Sequence, residues 1–146
     1  MAITQAIANS FKKELLEGEH NFTQTSGDKF KLALYTAGAT LTSATTAYIT
    51  SGEVAASGTY SAGGGALVNG LVSITAGVAR ADFANLSFTG VTLTARGALI
   101  YNTSATATNA AVAVLDFGAD KSATSGTFTI QFPNPTSTAA ILRISG

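Results

Sequence analysis

Val91–Tyr101, VTLTARGALIY, followed after a short polar loop by Ala111–Phe117, AVAVLDF, decides the fold. With side chains alternating every second residue, Val91, Leu93, Ala95, Gly97, Leu99 and Tyr101 share one face, while Thr92, Thr94 and Arg96 take the other until Ala98 and Ile100 make it apolar too. This predicts a long strand, buried on one side and half buried on the other. In the second stretch Ala111, Ala113, Leu115 and Phe117 alternate with Val112, Val114 and Asp116, so nearly every position is apolar, as in a central strand of a sandwich or barrel. A loop over Asn102–Asn109 centred near Thr106 pairs the two as an antiparallel hairpin. That register sets Tyr101 opposite Ala111 and Arg96 opposite Asp116, a partly buried structural ion pair whose loss on one side alone would cost several kcal/mol.

Outward from this hairpin, more short strands follow. Phe30, Leu32 and Leu34 alternate within Lys29–Tyr35; Ala66–Ile74 places Val68, Val72 and Ile74 on one face; Thr75-Ala76-Gly77 reads as a three-residue hairpin loop into Val78–Phe83. Leu86 and Phe88 begin an extended piece that Gly90 interrupts, a bulge signal. After Phe117 the stretch GADKSATSG reads as a polar turn, then Thr127–Phe132 alternates until Pro133 and Pro135 stop it, and Ala139–Ile144 is a last strand. These seven or eight antiparallel strands, joined by Gly/Ser/Thr turns, predict an all-β fold, a β-sandwich or jelly-roll-like barrel.

One helix is expected, at the N-terminus over residues 1–18. Within Thr4–Glu17, Ile3, Ile7, Phe11 and Leu15 recur at i, i+4 spacing, and Gly18 stands at the C-cap position. The segment Ala37–Gly65, rich in Ala, Thr, Ser and Gly, has no clear period; it reads as a long contact loop whose large apolar side chains include Tyr48, Ile49 and Tyr60.

The chain of 146 residues suits one domain spanning 1–146, with a core that needs no staples. Eight basic and eight acidic residues, scattered, leave no net charge, which argues against nucleic acid or an anionic membrane as partner. No run approaches a membrane span, and the N-terminus lacks the order of a signal peptide, so synthesis in the host cytoplasm is expected. With 46% hydrophobic and only 11% charged residues, the surface is suited to being covered by neighbours, and a homo-oligomer is expected.

Little in the chain points to chemistry. There is no cysteine for a disulfide or thiolate site, and His20 is the single histidine, placed in the turn after the helix, where a solvated side chain is the expectation. No Gly-x-Ser-x-Gly elbow accompanies it. The acidic residues show no cation-loop spacing, and Gly63-Gly64-Gly65 lacks the Lys-Ser/Thr of a phosphate cradle, so it reads as a turn. No catalytic, cofactor or metal residue is assigned, and a non-enzyme is expected.

The segments ITQAIANSFKKELLEGEHNF, KLALYT, GEV and SGTYSAGG, and above all TARGALIYN with AVAVLDFGADK, resemble a family of small virion structural proteins of tailed bacteriophages. The likeness keeps segment order along nearly the whole chain. The resemblance implies a capsid decoration or cement protein: a homotrimer at three-fold positions on the virion's capsid surface, bound to the major capsid protein and stabilising its shell. On that expectation Tyr48, Ile49 and Tyr60 in 37–65 are the interface residues. Other expectations are a tail tube, connector or fibre-associated protein, or a carbohydrate-binding β-sandwich.

Overall fold

The hairpin that dominates the molecule consists of β6 (Leu86–Asn102) and β7 (Ala110–Ile130), paired antiparallel with Tyr101 opposite Ala111. The structure, a computed structural model, describes residues 2–133 and 140–145; readings that fall on Met1, Pro135, Ala139 and Gly146 lie outside the described residues. Two antiparallel sheets and one short helix make an all-β, sandwich-like arrangement. The larger sheet has the order β1-β7-β6-β2-β3 and the smaller β4-β5-β8.

The turn expected over Gly118–Gly126 is instead the middle of β7. It is strand because β6 offers it a partner of the same chemistry: Thr94 Oγ1 meets Ser122 Oγ at 2.8 Å, Ser87 meets Thr129 at 2.9 Å, and Ser125 N–H donates to Thr92 Oγ1. Polar alternation here marks a solvated sheet face. The register shifts between Phe88 and Val91, where the bulge was expected, and again between Val91 and Leu93, Ala95 and Gly97, and Ile100 and Tyr101. The shift between Ile100 and Tyr101 corrects the ion pair. Asp116 lies opposite Gly97, and Arg96 reaches Asp116 only at 4.0 Å and Asp120 at 3.3 Å, with the Arg96 side chain 39% exposed. Exposed pairs of this kind contribute about 0–1 kcal/mol, so the large one-sided cost expected of a buried pair does not apply.

β2 (Phe30–Tyr35) lies beside β6 and is buried nearly throughout. Its other edge pairs with the two-residue β3 (Gly65–Ala66), which Leu67 N–H to Phe30 O extends, and is covered by the segment 37–65 through Thr36 N–H to Gly52 O and Val54 N–H to Leu34 O. The approach is close: a Cβ on Gly64, at φ +85, would stand 1.8 Å from the Leu32 carbonyl oxygen. The segment supplies the missing edge of the sheet.

The N-terminal helix is shorter than expected. Ala6–Ile7 forms β1 against Val114 and Ala113, Ile3 bridges Leu41, and only Asn9–Leu16 is α1. β-branched Ile3 and Ile7 bury better in the sheet than in an exposed helical turn, and Gly97 leaves room for Ile3: a Cβ there would come within 2.9 Å of its Cγ2. The C-terminus matches expectation, with Gly18 N–H bonded to Leu15 O and Glu19 N–H to Glu14 O, a Schellman motif. Phe11, Phe22, Phe30, Phe83 and Phe132 form a continuous aromatic chain between this helix and the large sheet.

β4 (Ser73–Thr75), β5 (Val78–Ala81) and β8 (Leu142–Ile144) make the small sheet. Thr75 pairs with Val78, so the hairpin loop is the two residues Ala76-Gly77, at φ +53 and +77, rather than three. Residues 67–72 are not strand, and Val68, Val72 and Ile74 are exposed, against the expected strand Ala66–Ile74.

Candidate functional site

Two buried polar clusters and one bare surface are the features outside ordinary packing. The first cluster gathers all four tyrosines around Glu53. Its carboxylate accepts from the hydroxyls of Tyr48 and Tyr60 and from the Gly63 N–H, the last two at 2.8 and 2.7 Å. Tyr60 O also accepts the Leu34 N–H at 2.8 Å, and the hydroxyls of Tyr101 and Tyr35 donate to the Gly63 and Ile49 carbonyls, each at 2.6 Å. Burial, reinforced by Glu53, pushes the Tyr48 and Tyr101 phenols from their ordinary 10.0 to about 12, and those of Tyr35 and Tyr60 higher still. These phenols are therefore neutral donors locking a loop. The expected interface residues Tyr48, Ile49 and Tyr60 thus lie together, but facing inward: Tyr60 is 1% exposed, Tyr48 stacks on Tyr101 at 5.0 Å, and Ile49 packs half-buried against the core. Sequence reasoning missed Glu53. Its signal was that no other charged residue stands between Lys31 and Arg80, and a lone carboxylate in an apolar segment needs donors.

The second cluster corrects the reading of His20. Its side chain is fully buried against Phe11, with Nε2 2.9 Å from Glu14 Oε1 and Nδ1 2.9 Å from Asn102 Nδ2. Asn102 Oδ1 accepts the N–H groups of Ser104 and Ala105, which fixes the amide so that Nδ2 donates to His20 Nδ1 and to Asp28 Oδ2. The imidazole must then be the neutral tautomer with its proton on Nε2, donated to Glu14. With the His20 side chain wholly buried, this chain of side chains holds a proton in place and pins α1 to the end of β6. Glu19 adds to the same tie, accepting the Thr106 N–H.

The surface is of two kinds. Ser87, Thr89, Thr92 and Thr94 on β6 face Ser122, Thr124, Thr127 and Thr129 on β7, giving an exposed, neutral, hydroxyl-bearing ribbon. Beside the small sheet, Val68, Leu71, Val72, Ile74 and Ile144 are exposed aliphatic side chains. Between this sheet and α1 runs a cleft of about 840 Å³ lined by Phe11, Leu15, Phe22, Val72 and Leu142, with Arg80 at its wall. Arg80 Nε and Nη1 and Asp82 Oδ1 are buried without hydrogen-bond partners among the described residues, and burial pushes the Asp82 carboxyl up.

Among the described residues no group of three or more His, Asp or Glu side chains is arranged to hold a metal ion, and no helix is long and apolar enough to cross a membrane. Comparison with protein-family models, with characterised proteins and with solved structures finds no match.

Proposed function

We propose that this chain is a structural virion protein, a decoration or cement subunit that binds a shell of major capsid protein as a homo-oligomer and stabilises it. The observation that carries the reading is the contrast between inside and outside. The buried His20 and the half-buried Asp28 and Glu53 are each committed to internal hydrogen bonds, while the outside presents a hydroxyl ribbon and exposed aliphatic side chains. Such a surface gains from being covered and has little to steer a charged ligand. The resemblance to phage virion proteins supplies the identity of the partner, and a trimer matches three-fold positions where several weak contacts add. The carbohydrate-binding reading is disfavoured, because no tyrosine is fully exposed as a stacking platform and the chain has no Trp.

The test is to add purified protein to shells lacking it. Binding that saturates at a fixed ratio, raises the shell's resistance to heat, and changes little with salt is expected, since few charges take part. Protein that ignores such shells, or is found only along the tail of the particle, overturns the capsid assignment in favour of the tail.

A further inference from the structure

Arginine faces arginine in the small sheet. Arg80 on β5 stands directly opposite Arg143 on β8, and residues so paired put their side chains on one face, so two like charges share a row. Arg80 Nε and Nη1 are buried without hydrogen-bond partners among the described residues. Alternation sets Asp82 on the same face, yet among the described residues no ion pair joins it to Arg80. The rows on either side, Ala79 with Ile144 and Ala81 with Leu142, are apolar and belong to the other face. These four residues line the cleft of about 840 Å³, and Phe83, next on their face, packs on Phe22 of the same cleft. The charged residues along the cleft, Lys12, Arg80 and Arg143, are all basic. The carboxylates of α1 are engaged elsewhere, Glu14 with His20, and Glu17, at its C-cap, holds Lys13. β8 is the outer strand of this sheet and pairs only with β5 among the described residues.

We infer that β8 takes a further strand from a partner protein, an extended segment in which an acidic residue stands between two aliphatic ones. Such a strand pairs its backbone with the edge of β8 and offers its side chains alternately to the two faces. With its acidic residue beside Arg143, the carboxylate extends the row of Arg80 and Arg143 and relieves two like charges. Its aliphatic neighbours then fall beside Leu142 and Ile144, on the face that lines the apolar cleft. Arg143 also decides against a second copy of this chain as the occupant. Two β8 edges paired antiparallel about their centres set arginine against arginine, and a strand carrying lysine there is refused for the same reason. A single carboxylate suffices, so the salt dependence of decoration stays small. That the segment belongs to a shell protein rests on the decoration reading; its chemistry does not.

The probes are capped heptapeptides added to the purified full chain, with Kd read by titration calorimetry and the contact mapped by amide chemical shifts. A peptide alternating valine with aspartate is expected to bind and to shift the amides of β8 and β5. Its counterpart with lysine for aspartate should bind at least about 10-fold more weakly, and so should one with serine for valine. N-methylation of alternate residues should abolish binding in one phase and spare it in the other, the signature of a strand paired along one edge. Arg143→Glu, at an exposed position, should invert the preference, losing the aspartate peptide and gaining the lysine one, a gain that a misfolded chain cannot show. No binding, equal binding of the two peptides, equal binding of the two N-methylated forms, or a preference that Arg143→Glu leaves unchanged would overturn the inference. Dodecanoate bound where no peptide binds would make the cleft a lipid site and overturn it too. A chain that binds the aspartate peptide but ignores shells keeps this inference and overturns the decoration reading; one that decorates shells but binds no alternating peptide does the reverse.

Discussion

Glu53 shows how one side chain can hold a long segment. Its carboxylate accepts from Tyr48, Tyr60 and Gly63, and those donors lie on the stretch that covers the free edge of β2. Hydrogen bonds to a charged group contribute about 1.5–3 kcal/mol, and a buried donor left unpaired costs about 1–3 kcal/mol. Glu53→Ala should therefore lower the unfolding free energy by about 3–4 kcal/mol in urea titrations, while Tyr48→Phe, which removes one donor and keeps the ring stacked on Tyr101, should cost about 1 kcal/mol. Equal losses would show that the tyrosines, rather than the carboxylate, are the hub. Tyr60, 1% exposed and bonded to the β2 backbone, cannot be replaced by Ser without loss of stability.

At the level of elements, local pattern competes with the needs of a neighbouring strand. Residues 4–8 have helical spacing, yet β7 has an open edge and takes Ala6–Ile7 as a partner, so the helix begins at Asn9. Gly118–Gly126 has turn composition, yet β6 offers a matching hydroxyl face and makes it strand. The β4–β5 hairpin is the opposite case, where local chemistry is poorer than the structure requires. Ala76 sits at φ +53 before Gly77, in a turn that favours Asn-Gly. A left-handed alanine costs about 1–2 kcal/mol, so Ala76→Asn should slow hydrogen exchange of the Thr75 and Val78 amides, the bonded pair that flanks the loop, several-fold, with little change in those of β6 and β7. Unchanged exchange at Val78 would mean that the turn is not what holds this sheet.

For the whole molecule, the tyrosines set a limit at high pH. The unfolded chain loses phenol protons near the ordinary 10.0, while in the folded chain Tyr48 and Tyr101 hold theirs to about 12 and Tyr35 and Tyr60 beyond. Above pH 10 the unfolded state therefore binds fewer protons, so stability falls as pH rises, a loss that continues through about 12; below pH 10 these groups contribute no slope. Tyrosinate absorbance and circular dichroism should change together in one cooperative step well above pH 10. Phenols that titrate near pH 10 while the dichroism stays native would show that the cluster is open to water.

The sequence by itself determined the all-β class, the β6–β7 hairpin with Tyr101 opposite Ala111, strand β2 and the helix stop at Gly18, because each depends on side-chain period or on a cap readable within a few residues. The tertiary structure alone decided what those elements meet. It buried His20 between Glu14 and Asn102, turned Tyr48 and Tyr60 inward to Glu53, slipped Arg96 past Asp116 at a bulge, and left Val68–Ile74 bare. The physical reason is that alternation fixes which face of a strand is apolar, whereas burial, partner and register depend on residues tens of positions away. Asn102 and His20, 82 positions apart, could be joined only by the fold.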